Sequence, residues 1–109
     1  MNSVVTLPGF YDKSLTAETK RRLGLERAAI VNIDCDLYES AITVLDWITD
    51  LLVQGTVLVF DDWFHYQGRT DCGEQKACRE WCARNPHIEL IEYWREPPQP
   101  MSFIVNFKR

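Results

Sequence analysis

Two apolar runs, each ended abruptly by acidic residues, constrain this chain more than any other feature. Ala28-Ala29-Ile30-Val31 leads into Ile33-Asp34-Cys35-Asp36-Leu37-Tyr38-Glu39-Ser40, and Val57-Leu58-Val59-Phe60 leads into Asp61-Asp62-Trp63. Runs of that length, bounded by turn residues, read as strands buried on both faces inside a parallel sheet. Asp34 and Asp61 lie 27 residues apart, which suits one strand–helix–strand crossover and sets the two strand ends side by side. In open α/β sheets the groups that act on ligands gather just beyond the carboxyl ends of the strands. Four carboxylates there repel one another unless a cation or protons neutralise them. Carboxylate oxygens favour a hard cation, magnesium before calcium or manganese.

The rest of the chain fits an α/β domain built around those strands. Ser3 to Gly9 reads as a short strand or extended lead ending in a Pro-Gly turn. Thr16 caps a short helix that runs to Leu23 and stops at Gly24. Between the confident strands Ala28–Asp34 and Thr56–Asp61, residues Ile42, Leu45, Ile48 and Leu52 recur at helical spacing. That pattern predicts a helix from Ser40 to Gln54, with Gly55 as its stop. A polar and aromatic loop, Trp63 to Cys72, precedes a second helix, Gly73 to Asn85, with Ala77, Cys78, Trp81 and Cys82 on one side. Ile88 to Arg95 alternates like a half-buried strand, with Ile88, Leu90 and Trp94 inward. Pro97 to Pro100 is a stiff turn, and Met101 to Phe107 closes the chain with Phe103, Val105 and Phe107 on one face. So short a link makes the last two strands antiparallel. The predicted order β-α-β-α-β-β gives a parallel sheet with an antiparallel hairpin at one end, in one domain spanning residues 1–109. The strand Ala28–Ile33 has little before it to cover its outer edge, so that Ser3–Leu7, a second subunit or a missing part of a larger fold is expected to pair there.

Composition excludes several functions. A net charge of −4 offers no basic face for nucleic acid, and Lys20-Arg21-Arg22 reads as a solvated helix face. No apolar stretch reaches the roughly 20 residues that span a bilayer, and no basic-then-apolar leader opens the chain. The expected partners are thus neither nucleic acid nor membrane, and the expected location is the cytoplasm. Cys35, Cys72, Cys78 and Cys82 lack the paired spacing of a zinc ribbon and read as reduced, partly buried thiols. A soft-metal site from Cys78 and Cys82 with His65 or His87 is the weaker alternative.

Asp34 and Asp36, two apart in an extended chain, face the same way about 7 Å from each other. Asp61 and Asp62 converge only if the backbone turns where the strand ends. The bland reading makes these aspartates helix caps or turn residues. Trp63, Phe64, His65 and Tyr66 either line an acceptor pocket or anchor their loop by burial. Glu74 and Gln75 read as first-turn helix residues, Tyr38 and Trp47 as packing residues, and Cys35 as core.

Taken together, Ile33-Asp34-Cys35-Asp36-Leu37-Tyr38-Glu39-Ser40, Phe60-Asp61-Asp62-Trp63, Gly73-Glu74-Gln75-Lys76-Ala77 and the lead-in Pro8-Gly9-Phe10-Tyr11-Asp12-Lys13-Ser14-Leu15 resemble the macrocin O-methyltransferase family of class I S-adenosylmethionine-dependent methyltransferases. The resemblance covers nearly the whole chain. It implies a partial Rossmann-like methyltransferase sheet, strands four to seven, with the last strand inserted antiparallel between the fifth and sixth. It also implies Asp34, Asp61 and Asp62 as magnesium ligands, Asp36 as general base, and S-adenosylmethionine as methyl donor. The implied acceptor is a small hydroxylated molecule, often a sugar, with Trp63, His65 and Tyr66 as candidate binding residues. The five glycines offer no G-x-G after a strand. The chain therefore reads as the metal and acceptor half without the family's glycine-rich cofactor half, and its cofactor-binding residues stay unassigned.

Two other classes compete. Asp34-x-Asp36 after an apolar strand also resembles the nucleophile motif of haloacid-dehalogenase-type phosphatases, whose further signatures are not evident here. A non-enzymatic domain that binds metal or a partner, including a second copy, through its open sheet edge is the other.

Overall fold

The computed structural model describes residues 4–95 and 100–108, the Arg95 side chain excepted. A four-stranded mixed sheet forms from β1 (Ala28–Ile33), β2 (Leu52–Phe60), β3 (Ile88–Arg95) and β4 (Met101–Phe107) in the order β1-β2-β4-β3. β1 and β2 run parallel, and β4 lies antiparallel between β2 and β3. The helices are α1 (Tyr11–Ser14), α2 (Ala17–Arg22), α3 (Tyr38–Ile48) and α4 (Gly73–Arg84), with a 3-10 turn at Thr49–Leu51. This is the α/β arrangement expected, hairpin included. The expected turn at Pro97–Pro100 falls mainly on residues outside those described.

The core lies between the sheet and the pair α3–α4. Ile33, Leu58, Phe60, Met101, Phe103 and Val105 from the sheet meet Ala41, Leu45, Ile48, Ala77, Cys78 and Trp81 from the helices. Trp81 is the largest fully buried side chain; its indole N–H donates to Thr49 Oγ1 at 2.9 Å, which satisfies the one polar atom that its burial removes from water. Trp47 similarly donates to the Thr16 carbonyl at 2.9 Å, and so ties α2 to α3. Thr16 caps α2 as expected, accepting from the Thr19 N–H at 3.1 Å.

Four local expectations are corrected. α3 ends at Ile48, and β2 begins at Leu52, four residues before the predicted start. Leu51 and Leu52 continue the helical apolar spacing but are buried by the 3-10 turn and the strand instead. Gly55, with φ of +92°, therefore stops no helix. It lies in the irregular stretch where the register jumps from Ala28↔Leu52 to Ile30↔Val57, and Thr56 seals the gap by donating to the Ala28 carbonyl and accepting from the Val53 N–H. Second, β1 is covered on one face only: Ile33 is buried while Ile30 is 69% exposed. Third, of the alternatives for the outer edge of β1, pairing by the lead segment falls away: residues 4–8 form no strand, as the extended-lead reading allowed, and β1 stands at the edge of the sheet. Fourth, a register shift between Glu92 and Trp94 turns Trp94 outward, 62% exposed, as bulges do.

The free cysteines follow the sequence reading: Cys35 and Cys78 are buried thiols. Among the described residues no helix is long and apolar enough to cross a membrane.

Candidate metal and acceptor site

The site is set by where β1 and β2 end. Pairing runs level to Ile33↔Phe60, and the Asp61 N–H adds one more ladder bond to the Ile33 carbonyl at 2.9 Å. Both acidic motifs therefore leave the sheet at the same height. Beyond Asp61 the chain turns at once, closed by the His65 N–H donating to the Asp62 carbonyl at 3.1 Å. That turn brings the Asp62 side chain back toward the first motif.

Among the described residues, ligand atoms of Asp36, Asp62 and His65 all lie within 4.8 Å of one another. Asp34 joins them through Asp62. Burial first, then hydrogen bonding and charge from the Asp36 and Asp34 carboxyls, raise the Asp62 carboxyl to about 6. This is the crowding expected when several carboxylates share one place without a counter-charge. Asp62 Oδ2 is buried with no hydrogen-bond partner, an uncommon state for a carboxylate oxygen. An oxygen without a donor beside further carboxylates fits a small hard cation. Asp61 is half-buried, anchored by its main chain, and stands outside the Asp36–Asp62–His65 group.

The other residues picked from sequence have mixed placements. His65 belongs to the cluster and meets the Tyr66 ring edge-on at 4.9 Å. Trp63 packs on Phe60 at 5.0 Å and Phe103 at 5.2 Å, and its carbonyl accepts from Gln75 Nε2 at 2.8 Å. These contacts make Trp63 an anchor of the loop. Tyr66 lies over Gly73: a Cβ there would stand 2.7 Å from the Tyr66 ring and 3.2 Å from the Asp36 carbonyl. Gly73 also has φ of +56°, so glycine is required twice at this close approach. Cys35 points into the core as expected, and its burial, aided by Glu74 and the aspartates, pushes the thiol up to about 12.

Sequence reasoning missed two parts of the site. A cleft of about 430 Å3 flanks Asp36 and is walled by Phe10, Tyr11, Leu37 and Ser40; the aromatic walls come from the lead-in segment rather than from the loop after Asp62. The second is Glu74, 1% exposed. Its Oε2 accepts from the Cys35 N–H at 3.1 Å and its Oε1 from the Asp62 N–H at 3.0 Å. Burial raises the Glu74 carboxyl to about 8, against the pull of those two N–H donors. A signal was present: Glu74 precedes Ala77, Cys78 and Trp81 by three, four and seven residues, the spacing of one helix face. That placed it on the buried side.

The sequence matches the macrocin-O-methyltransferase model over residues 2–93. The chain belongs to that family. Solved structures carry the same fold: the O-methyltransferase NovP aligns with TM-score 0.68 and 21% identity over 94% of this chain and 37% of its own. CalS11, a TDP-rhamnose 3'-O-methyltransferase of calicheamicin biosynthesis, aligns with TM-score 0.67 and 23% identity over 88% of this chain and 39% of its own. The chain thus spans well under half the length of these structures. No curated protein matches it by sequence.

Proposed function

We propose that this chain forms the metal and acceptor half of an S-adenosylmethionine-dependent O-methyltransferase acting on a sugar hydroxyl. Family membership and the name of NovP support the reaction class, and the name of CalS11, a TDP-rhamnose 3'-O-methyltransferase, supports the acceptor class. The observation that carries it is the convergence of Asp34, Asp36, Asp62 and His65 at the adjacent carboxyl ends of β1 and β2. Asp62, with the Asp34 carboxyl beside it, would hold a magnesium ion; Asp61, the third ligand that the resemblance implies, stands outside the Asp36–Asp62–His65 group. A divalent ion held there would lower the pKa of a bound hydroxyl, and S-adenosylmethionine would supply the methyl group.

The protein's own groups do the rest. Asp36 lines the cleft and stands beside Asp62, so it accepts the proton from an acceptor hydroxyl lying there. His65, in reach of both, passes that proton toward solvent. Phe10 and Tyr11 wall the cleft with flat apolar surface, which suits the C–H faces of a sugar ring. Fixing the hydroxyl against its base contributes much of the rate.

The test separates the two acidic roles. The chain is combined with a glycine-rich methyltransferase half, labelled S-adenosylmethionine and a panel of sugar nucleotides, with and without magnesium. Magnesium-dependent labelling of a sugar is the expected result. Asp36→Asn is expected to keep cation binding and lose transfer, and Asp62→Asn to lose both. No labelling of any acceptor with both halves present contradicts the reading.

A second reading, a partner-binding domain, draws on one observation. The in-register row Ile30–Val57–Ile104–Ile91 crosses the sheet, and Ile30 and Ile91 at its ends are 69% and 46% exposed. A row of that kind at an open edge favours pairing with another chain.

A further inference from the structure

Glu74 is the one carboxylate in the interior among the described residues, and main chain occupies both of its oxygens. Each oxygen serves a different motif. Cys35, whose N–H donates to Oε2, sits between Asp34 and Asp36; Asp62, whose N–H donates to Oε1, is itself in the cluster. A carboxyl group is planar with two oxygens at fixed separation, so these two bonds fix the strand-end loops relative to each other as well as to α4. We propose that Glu74 is a positioning residue that clamps the Asp34–Asp36 loop against Asp62 and so sets the geometry in which the two motifs share a cation and an acceptor hydroxyl. The inference rests on the reading of that cluster as a cation site.

Packing alone does not account for Glu74. Its neighbours on the same helix face, Ala77, Cys78 and Trp81, are apolar and buried, and an apolar side chain at position 74 would join them without the desolvation that an interior carboxylate suffers. Such a side chain would leave the N–H groups of Cys35 and Asp62 without acceptors. Glutamine keeps the shape but offers one acceptor oxygen, and its amide nitrogen would face the other N–H. The approach is also prepared from the helix side. Gly73 lets the first turn of α4 come against the Asp36 carbonyl, where a Cβ would intrude. Outer partners that orient metal ligands affect affinity by about 10- to 100-fold.

The experiment uses 15N-labelled native chain, Glu74→Gln, and Cys78→Ala as a control on the same helix face. Amide hydrogen exchange is read without metal, and Mn2+ affinity is read by relaxation enhancement. In the native chain the amides of Cys35 and Asp62 are expected to exchange far more slowly than those of the exposed residues Gln67 and Thr70. In Glu74→Gln one of the two is expected to lose its protection, with Mn2+ bound about tenfold more weakly by a chain that remains folded. Cys78→Ala, which lowers stability without touching the clamp, keeps native affinity. A merely structural Glu74 would behave like that control. The proposal is overturned if Glu74→Gln binds Mn2+ as tightly as native with both amides still protected. If Glu74→Gln does not fold, the native exchange rates decide: a Cys35 or Asp62 amide as fast as Gln67 overturns the clamp. Absence of Mn2+ binding by the native chain refutes the cation reading instead, and the same two amide rates then judge the clamp by itself.

Discussion

The first turn of α4 and the two turns after it are buried alike but held by different forces. Ala77, Cys78 and Trp81 lie in the apolar core, where attraction is proportional to area and indifferent to direction. Gly73, Glu74 and Gln75 are equally enclosed, yet their contacts are hydrogen bonds and one close backbone approach. The apolar turns fix how strongly the helix is held. The polar turn fixes where two loops stand, because an unsatisfied donor is costly and a satisfied one tolerates little displacement. One helix thereby supports the fold with one end and organises the site with the other.

Removing the strongest apolar contact tests the first half of that contrast. Trp81→Ala is expected to destabilise the chain by about 3–5 kcal/mol in urea unfolding, while the folded fraction keeps its divalent-cation affinity. A loss of affinity as large as that of Glu74→Gln would erase the distinction between the two ends.

Carboxyl titration bears on the polar turn and on the loop that it holds. Glu74 moves from 4.5 to about 8 and Asp62 from 3.8 to about 6 on folding. Raised carboxyl values mean that the folded chain holds protons the unfolded chain has released, so this contribution is full at low pH and lost as pH rises through the folded values. In chelator, the stability of the native chain relative to Glu74→Gln is expected to fall between about pH 4.5 and 8, by on the order of a few kcal/mol. A difference between the two chains that is flat with pH contradicts the buried-carboxyl account.

Gly73→Ala sharpens the comparison at the boundary between the two regions. A left-handed φ costs an alanine about 1–2 kcal/mol, and its Cβ would displace Tyr66 and press on the Asp36 carbonyl. Moderately lower stability with a larger fall in cation affinity is expected. Asp50→Ala, which removes the ion pair between an exposed Asp50 and a largely enclosed Lys20, is expected to change stability by no more than about 1 kcal/mol and to leave the site untouched.

Much of the fold was legible because strands and helices here obey simple periods. The runs before Asp34 and Asp61 and the alternation in Met101–Phe107 each answer to a local rule. Legibility fails where tertiary contacts override that rule. Leu51 and Leu52 carry helical spacing, yet a strand buries them better, and Gly55 serves an irregular register instead of a helix stop. Trp94 belongs to the inner set by alternation, and one bulge turns it out. In the site, the two acidic motifs announced themselves by position after apolar runs. Glu74 looked like a routine first-turn acid, because its role depends on N–H groups 39 and 12 residues away. Tyr11 and Phe10 escaped for the same reason: only the folded chain sets the lead-in beside Asp36.

The most direct measurement is an anomalous difference map at the manganese edge from crystals of this chain grown with Mn2+. The account predicts one strong peak against the Asp62 carboxylate, bordered by the first acidic motif and abolished in Asp62→Asn. A map without a peak there, or with the ion bound elsewhere and the two motifs turned apart, would contradict it.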